Sequence, residues 1–475
     1  MDEHAKRTVV ALEAALEQAK AFLADEGARP VAATADLATL RGRLTRPLAD
    51  EGVAAEKVVS DLAADVEGGV LGSAGGRFFA WVIGGSLPAA LAADWLTSCW
   101  DQNAALYACA PAAAVVEEVA GRWLKELLGL PAGASFAFVS GCQMAHATCL
   151  AAARNALLAR RGFDVEERGL YGAPPLRLLT SAQRHGAFER AVRLLGLGRS
   201  QVTLLPSDER DRLLPEALEE ALSADPAAPT VVLLQAGDIH LGTYDEFEAL
   251  IPIARRHGAW VHVDGAFGLW VAASPRRRPF VKGVEKADSW ATDGHKWLNV
   301  PFDSGYAFVA HPEAHRAAMS HRAAYLVHHE EARDQIDWNP EWSRRARGFA
   351  TYAALRELGR TGLAAMVDRC CDCATALVAG IGQLSGAEVL WEPTVNQGLV
   401  RFLDPRPSAS PQDHDRRTDE VIAAVLATGE AYFGATTWHG RRAMRVSVCN
   451  WRTGQDDVRR AVKAVEAGLS SGLGV

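Results

Sequence analysis

Three side chains that can do chemistry each follow a short apolar stretch of the sequence. Asp264 ends the stretch AWVHVD, Lys296 lies in SWATDGHKWL, and His185 comes shortly after LRLLTS. An acid and a lysine at the ends of two strands often form only a salt bridge, and the pair alone leaves that alternative open. With the histidine, the set offers a nucleophilic amine, a carboxylate and an aromatic ring.

This combination is what pyridoxal 5′-phosphate requires from a protein. Lys296 would form a Schiff base with the cofactor, and Asp264 would keep the pyridine nitrogen protonated so that the ring accepts electrons. His185 could stack on one face of the ring, and Ala266 is small enough to lie against the other. Electron withdrawal of this kind favours formation of a carbanion at the substrate α-carbon.

The cofactor phosphate would bind at the segment SGCQMAH. A tight turn there ends at Gly141, and Cys142 and Gln143 open a helix whose free backbone N–H groups and positive dipole end attract anions. Asp293 and His295, beside the lysine, complete the predicted cofactor-binding residues.

The elements that must position these residues follow a βαβ rhythm. Short apolar runs alternate with longer helical segments, and the runs read SFAFVSG, LRLLTS, QVTLLP, TVVLLQAG and AWVHVDG. This alternation predicts an α/β fold with a mostly parallel sheet that is covered on both faces. Ligands of such sheets bind beyond the carboxyl ends of the strands, which is where the candidate residues lie.

The chain is predicted to have three parts. Residues 1–75 form an N-terminal helical segment, since residues 5–25 show the apolar spacing of an amphipathic helix that needs a partner surface. Residues 76–345 form the large cofactor-binding domain, and residues 346–475 form a smaller C-terminal α/β domain. Within the last part, residues 404–417 are rich in Pro, Ser and charge and are predicted to be an exposed loop before a helix near 418–428.

Composition argues for small-molecule chemistry. The chain has 50 Lys and Arg against 58 Asp and Glu residues, and a net charge of −8 gives no electrostatic footprint for nucleic acid or an anionic membrane. No window is apolar for the roughly 18 residues that a spanning helix needs. The N-terminus lacks the features of a secretory signal, which favours a cytoplasmic protein. The closely spaced Cys370, Cys371 and Cys373 are interpreted as reduced thiols, and no metal site is predicted.

Several segments resemble those of a known enzyme family. HVDGAFG, DGHKW and SAQRHGAFERA, with QAGDIHLGTYDEF, SRRARG and MRVSVCN, are similar to the group II pyridoxal-phosphate-dependent amino acid decarboxylases, of the fold type I shared with aspartate aminotransferase. The similarity covers nearly everything from about residue 70 to the end. It implies a homodimeric lyase that decarboxylates an L-amino acid through Lys296.

The resemblance also implies a substrate site. Phe79, Trp81 and Trp100 fall where the family forms its side-chain pocket near the dimer interface, and they would suit aromatic substrates. Arg445 could bind the substrate carboxylate, as an arginine of the C-terminal domain does in this fold type. Ordinary core or interface packing of the aromatics and structural pairing of the arginine stay open as alternatives.

The chain departs from the family pattern at the phosphate cradle and the cofactor hydroxyl. The family's Gly-Gly-Thr/Ser-x-Ala-Asn is replaced by the six residues Gly141 to His146, so that Gln143 stands where a hydroxyl is usual. The family's Gly-Thr-Thr is replaced by Gly237-Asp238-Ile239. Because backbone N–H groups can still bind phosphate, the cofactor is expected to be retained.

A third departure concerns the reaction. In the family a loop tyrosine is thought to protonate the carbanion, but VHHEEARDQID (residues 327–337) contains none and has Gln335 near the equivalent place. His328 and His329 are the nearest groups of suitable pKa, although a solvated charged stretch is an alternative. Amine release is therefore one of several possible reactions, beside oxygen-dependent aldehyde formation, transamination and carbon–carbon lysis. A different class of protein, a non-catalytic scaffold that retains the fold, is a further alternative.

Overall fold

The computed structural model describes residues 1–321 and 331–471 and contains two sheets. The large sheet has seven strands: β1 (Ser135–Val139), β2 (Arg177–Ser181), β3 (Val202–Leu205), β4 (Thr230–Gln235), β5 (Trp260–Asp264), β6 (Ser289–Asp293) and β7 (Gly305–Val309). The small sheet has four: β8 (Ala387–Trp391), β9 (Gln397–Phe402), β10 (Gly434–Trp438) and β11 (Arg441–Ser447).

Fourteen α-helices surround the sheets in the described part of the chain. They are α1 (Glu3–Asp25), α2 (Leu37–Leu44), α3 (Ala55–Asp65), α4 (Pro88–Trp100), α5 (Pro111–Leu128), α6 (Cys142–Ala159), α7 (Val165–Arg168), α8 (Gly186–Leu194), α9 (Pro215–Ala224), α10 (Phe247–Arg256), α11 (Pro312–Met319), α12 (Gly348–Gly382), α13 (Pro411–Thr428) and α14 (Gln455–Ser471).

The predicted mostly parallel sheet is confirmed. Its strand order is β1-β7-β6-β5-β4-β2-β3, and only the pairings of β7 with β1 and β6 are antiparallel. Side chains on alternate strand positions belong to two separate hydrophobic clusters, with Val232 and Leu234 in one and Val231 and Leu233 in the other. The sheet is therefore buried on both faces, and groups that must reach a ligand are expected at its strand ends.

The smaller sheet is antiparallel, in the order β10-β11-β9-β8. The predicted exposed loop at residues 404–417 is wrong in its second half, because α13 already begins at Pro411. Ser410 and Asp413 form a capping box and Pro411 takes the first helical position, which together start the helix early. The predicted domain boundaries fall between α3 and α4 and directly before α12, and the three-part division stays a prediction.

The N-terminal helices lie on the outside. The predicted amphipathic helix is confirmed as α1, yet neither α1 nor α3, which packs against it, contains a buried residue. Val10, Leu12 and Leu16 of α1 remain exposed, as do Val58 and Leu62 of α3. Within the described residues, no helix is both long enough and apolar enough to cross a lipid bilayer.

Candidate active site

The predicted site residues meet at the carboxyl ends of neighbouring strands. Asp264 is the last residue of β5, Lys296 follows the end of adjacent β6, and α6 begins directly after β1. His185 follows β2 and caps the N-terminus of α8. Parallel strands thus bring residues far apart in sequence to one edge of the sheet.

Asp264 is buried beside Lys296, two histidines and a backbone N–H donor. Its Oδ1 accepts a hydrogen bond from the backbone N–H of Ala266 at 3.1 Å, and its Oδ2 lies 3.4 Å from His146 Nε2. Burial alone would raise the pKa of Asp264, but His146, His185 and Lys296 outweigh burial and hold that pKa well below its usual value. Asp264 is therefore an ionised carboxylate, as a pyridinium partner must be.

Lys296 is held by a carboxylate and by close backbone packing. Its Nζ lies 3.3 Å from Asp293 Oδ2. Burial alone would lower the pKa of Lys296, but Asp293, Cys142 and Asp264 raise it above its usual value. A Cβ on Gly84 would lie 1.9 Å from the Lys296 carbonyl oxygen, so only glycine fits beside the lysine turn.

The start of α6 offers a phosphate cradle. The helix lacks a side-chain cap at Gly141, so its first backbone N–H groups are free for an anion. A Cβ on Gly305 would lie 2.5 Å from the Gly141 Cα, which shows how closely the two backbones approach. With the ionised Asp264 and the nearby Lys296, this cradle has the chemistry that pyridoxal 5′-phosphate needs. Cys142 lies in its first turn and is buried, whereas Gln143 is half-buried.

The hydrogen bonds of His185 and His295 show which ring nitrogen of each carries the proton. His185 Nδ1 accepts from the Ala187 N–H at 3.2 Å, and His295 Nδ1 accepts from the Ser304 N–H at 3.1 Å. Burial is the main reason that the pKa of each histidine lies below its usual value. Both are neutral rings with the proton on Nε2, and His295 stacks on Phe302 at 4.4 Å between centroids.

Cys142, His146 and Asp264 offer ligand atoms within 4.8 Å of one another, a spacing that a metal ion could bridge. Burial, reinforced by Asp293 and Asp264, raises the pKa of the Cys142 thiol well above its usual value. A metal needs the thiolate, so this chemistry disfavours a metal at the three residues. The predicted thiols at 370, 371 and 373 are confirmed as free, buried cysteines of α12.

Sequence reasoning missed a buried chain of polar groups behind Asp264. His146 Nδ1 lies 2.8 Å from His262 Nε2, and His262 Nδ1 lies 2.9 Å from Ser289 Oγ. The Trp260 indole N–H donates to the same Ser289 Oγ at 2.9 Å. His262 and Trp260 alternate with apolar residues on β5, a pattern that by itself indicates only a buried strand.

Asn299 was also missed, although it connects three segments at the lysine turn. Its Oδ1 accepts from the N–H groups of Gly85 and Trp451 at 2.7 and 2.9 Å, and its Nδ2 donates to the carbonyls of Trp297 and Cys449, both at 2.9 Å. Its φ of 57° is left-handed, a conformation that asparagine tolerates better than most residues. The available signal was an asparagine three residues after the lysine.

We expect Asn299→Ala to lower the free energy of unfolding by about 3–5 kcal/mol, because four buried hydrogen-bonding groups lose their partner. Urea denaturation of the purified variant measures this loss. Asn396→Ala is the matched control, since Asn396 is equally buried but, within the described residues, its amide donates only to the Val448 carbonyl, at 3.0 Å. Equal losses in the two variants would show that Asn299 does not have the connecting role.

The predicted substrate residues lie in different surroundings. Phe79 is fully buried and stacks on Phe433 at 5.2 Å, whereas Trp81 is 51% exposed and lies 5.6 Å from Tyr432 between ring centroids. Trp100, at the end of α4, is 48% exposed.

Arg445, on β11, is buried. Burial lowers its pKa to about 10, although the charge of Asp238 opposes this shift. The Arg445 Nε has no hydrogen-bond partner in the described part of the chain. The surroundings of Arg445 are thus compatible with a guanidinium that binds a carboxylate.

The segment that lacks the family's tyrosine is only partly described. His328 and His329 lie outside the described residues. Gln335 is buried in a short 3₁₀ helix, where its side-chain oxygen accepts a hydrogen bond from Arg333. Gln335 is thus packed as an interior residue.

The fold and the site define an enzyme of the pyridoxal-phosphate-dependent fold type I. A family model described as the pyridoxal-dependent decarboxylase conserved domain matches residues 40–403, and the chain belongs to this family. It is a carboxy-lyase that acts on an amino acid with pyridoxal 5′-phosphate as cofactor.

Similar proteins differ in their named substrates. The chain is 30% identical to human cysteine sulfinic acid decarboxylase over 362 residues, which are 74% of this chain and 72% of the relative. It is 24% identical to the aromatic-L-amino-acid decarboxylase of Bacillus atrophaeus over 446 residues, 92% of this chain and 90% of that one.

Solved structures match the fold along its whole length. Oryza sativa TDC with PLP and tryptamine aligns with a TM-score of 0.92 at 24% identity, covering 100% of this chain and 99% of that one. Rhodiola rosea 4-hydroxyphenylacetaldehyde synthase aligns with a TM-score of 0.87 at 22% identity, covering 100% of both. The similarity establishes the fold without choosing between amine and aldehyde.

Proposed function

We propose that this enzyme removes the α-carboxylate of an L-amino acid as CO₂ and releases the amine, with Lys296, Asp264 and His185 as its catalytic residues. The observation that carries the proposal is the convergence of these three residues at one edge of the sheet, where Asp264 is kept ionised by its neighbours. A scaffold without catalysis would need neither a buried lysine nor a buried carboxylate held in this way.

Each residue of the site has its own role in the proposed reaction. Bound pyridoxal phosphate supplies a ring that accepts the electron pair left behind when CO₂ departs. Lys296 would supply the amine that joins the cofactor, and Asp293 Oδ2, 3.3 Å from its Nζ, orients the lysine side chain. Asp264 would balance the positive charge of the ring nitrogen, and the first turn of α6 would hold the phosphate. His185 would lie against one face of the ring, and Ala266 and His295 would complete the cofactor contacts.

We further propose that the substrate side chain is aromatic. Trp81 is half-exposed and only three residues from Gly84, which packs on the lysine backbone, and this supports the proposal. Phe78 and Tyr432 lie 5.8 and 5.6 Å from the Trp81 ring and extend the aromatic surface. Arg445 provides one guanidinium for one carboxylate, which suits a substrate without a second acidic group.

The substrate and the product can be measured together. We expect the purified enzyme to convert at least one of L-tryptophan, L-tyrosine, L-phenylalanine and L-DOPA to its amine, with kcat/KM at least about tenfold above those for L-glutamate, L-aspartate and L-cysteine sulfinate. Assays that score CO₂, amine, aldehyde and ammonia test both proposals. Preference for the acidic group would overturn the aromatic proposal, and failure to release CO₂ from any of them would count against decarboxylation.

A second candidate function is oxygen-dependent aldehyde formation, which the absence of a tyrosine from residues 327–337 favours. In that reaction the amino acid, O₂ and water give aldehyde, CO₂, ammonia and hydrogen peroxide. The same assays with and without oxygen separate the candidates, because only aldehyde formation consumes O₂. If His328 or His329 donates the proton, His328→Ala and His329→Ala should slow amine release by about 10²-fold or divert it to aldehyde.

We also infer that the enzyme is a homodimer. The exposed apolar side chains Val10, Leu12 and Leu16 of α1, with Val58 and Leu62 of α3, support this inference, because two helices without a buried residue gain stability when a second copy covers them.

A further inference from the structure

The ring of His146 lies behind the carboxylate of Asp264. His146 is fully buried on α6, and its Nε2 has no hydrogen-bond partner among the described residues although it lies 3.4 Å from Asp264 Oδ2. An unpaired buried ring nitrogen is costly, so its position against a carboxylate needs a physical account. Whether this nitrogen stabilises or repels the carboxylate depends on whether it carries a proton.

The protonation of His146 is determined by the chain of polar groups behind it. The Trp260 indole can only donate, so Ser289 Oγ accepts from it and retains its own hydroxyl proton. Burial, with a smaller contribution from His146, lowers the pKa of His262 to about 3, so His262 is a neutral ring with a single N–H. That N–H is either on Nε2, facing His146, or on Nδ1, facing Ser289.

Both arrangements lead to the same conclusion. If the His262 proton is on Nε2, it donates to His146 Nδ1, and the proton of His146 must be on Nε2. If it is on Nδ1, His262 accepts from the Nδ1–H of His146. The His146 Nε2 would then either carry a second proton or face the Asp264 carboxylate with a bare lone pair. The bare lone pair is repulsive next to a buried negative charge, so the acceptable states place a proton on Nε2.

We propose that His146 is a positioning residue for decarboxylation: its Nε2–H faces Asp264 Oδ2 at 3.4 Å and keeps that carboxylate ionised and oriented, while His262 and Ser289 hold the proton on Nε2. The proposal rests on the proposed function, in which Asp264 holds the charge of the cofactor ring. It assigns a role to the His146 position, at which the chain departs from the family's asparagine. Orienting a charged partner in this way typically contributes about one to two orders of magnitude in binding or rate.

Two substitutions at His146 separate its two nitrogens. His146→Gln places an amide N–H near the Nε2 position and loses the contact with His262. His146→Asn places one near the Nδ1 position and loses the donor to Asp264. Each variant loses one of the two polar contacts, so thermal unfolding of the two cofactor-free proteins should show similar destabilisation.

We expect His146→Asn to weaken pyridoxal phosphate binding by about tenfold or more and to lower kcat by a similar factor at unchanged KM. His146→Gln should stay within about threefold of the wild type in both. Titration of the cofactor-free protein with pyridoxal phosphate, followed by visible absorbance, gives the dissociation constant. The pH dependence of the visible absorbance of the bound cofactor should differ from that of the wild type in His146→Asn but not in His146→Gln. Equal effects of the two variants would show a packing role and overturn the proposal.

A measurement on the wild-type protein does not depend on the folding of variants. In protein labelled with ¹⁵N-histidine, we expect His146 Nε2 to give a protonated, slowly exchanging resonance that is missing from His146→Gln. A bare Nε2 would overturn the proposal. The variant Asp264→Asn separates a failure of the His146 proposal from a failure of the proposed function. If Asp264→Asn is impaired and His146→Asn is not, only the role of His146 is wrong.

Discussion

Lys296→Ala should lower turnover by about 10⁴-fold or more, whichever amino acid is the substrate. The substitution removes the amine that lies 3.3 Å from Asp293 Oδ2 at the centre of the site, and no water molecule can replace it as a nucleophile toward the cofactor aldehyde. Release of CO₂ from a panel of amino acids measures the loss. Borohydride reduction of the wild-type holoenzyme, followed by peptide mapping, should place the pyridoxyl label on Lys296.

A matched control is available on the surface. Lys282 is exposed, and its one ion pair among the described residues is with Glu248, at 3.0 Å, so Lys282→Ala should retain wild-type turnover and labelling. A label on another lysine, or substantial turnover in Lys296→Ala, would show that the site has been assigned to the wrong residue. Because Lys296→Ala retains Asp264 and the start of α6, it is expected to keep measurable affinity for the cofactor.

Asp264→Asn should lower kcat by about 10²- to 10⁴-fold while the protein stays folded. Removing one member of a buried charge pair costs about 3–5 kcal/mol, and each 1.36 kcal/mol in a barrier is tenfold in rate. The amide is nearly isosteric but cannot balance the charge of the ring nitrogen, so the electron-accepting capacity of the cofactor falls. Steady-state kinetics and the visible spectrum of the holoenzyme test this together.

Asp288→Asn controls for the general effect of replacing a carboxylate in this sheet. Asp288 precedes β6, at the opposite end from the site, and accepts from the Val261 N–H at 2.7 Å. The Asp288→Asn protein should be less stable than the wild type but keep the same kcat. If Asp264→Asn keeps turnover within threefold of the wild type while Lys296→Ala is inactive, another group must balance the ring nitrogen.

Much of the fold could be predicted because its signals are local. The five strands predicted between residues 135 and 265 appear as β1 to β5, with ends that differ by at most two residues, as the apolar runs indicated. The error at residues 404–417 arose because Pro and Ser were interpreted as loop residues, whereas at Ser410 and Pro411 they start α13. Capping depends on a few hydrogen bonds between side chains and backbone N–H groups that composition does not reveal.

The sequence by itself determined the fold class, the cofactor and the candidate residues Lys296, Asp264 and His185, because residue type and order along parallel strands specify them. Only the tertiary structure revealed Asn299 and the polar chain through His146 and His262. Their roles depend on partners more than 100 residues away, Asn299 with Trp451 and His146 with His262, and on side-chain directions within α6 and β5. A buried histidine has the same one-letter pattern whether it packs in a core or directs a proton at a carboxylate, and only the positions of its neighbours distinguish the two.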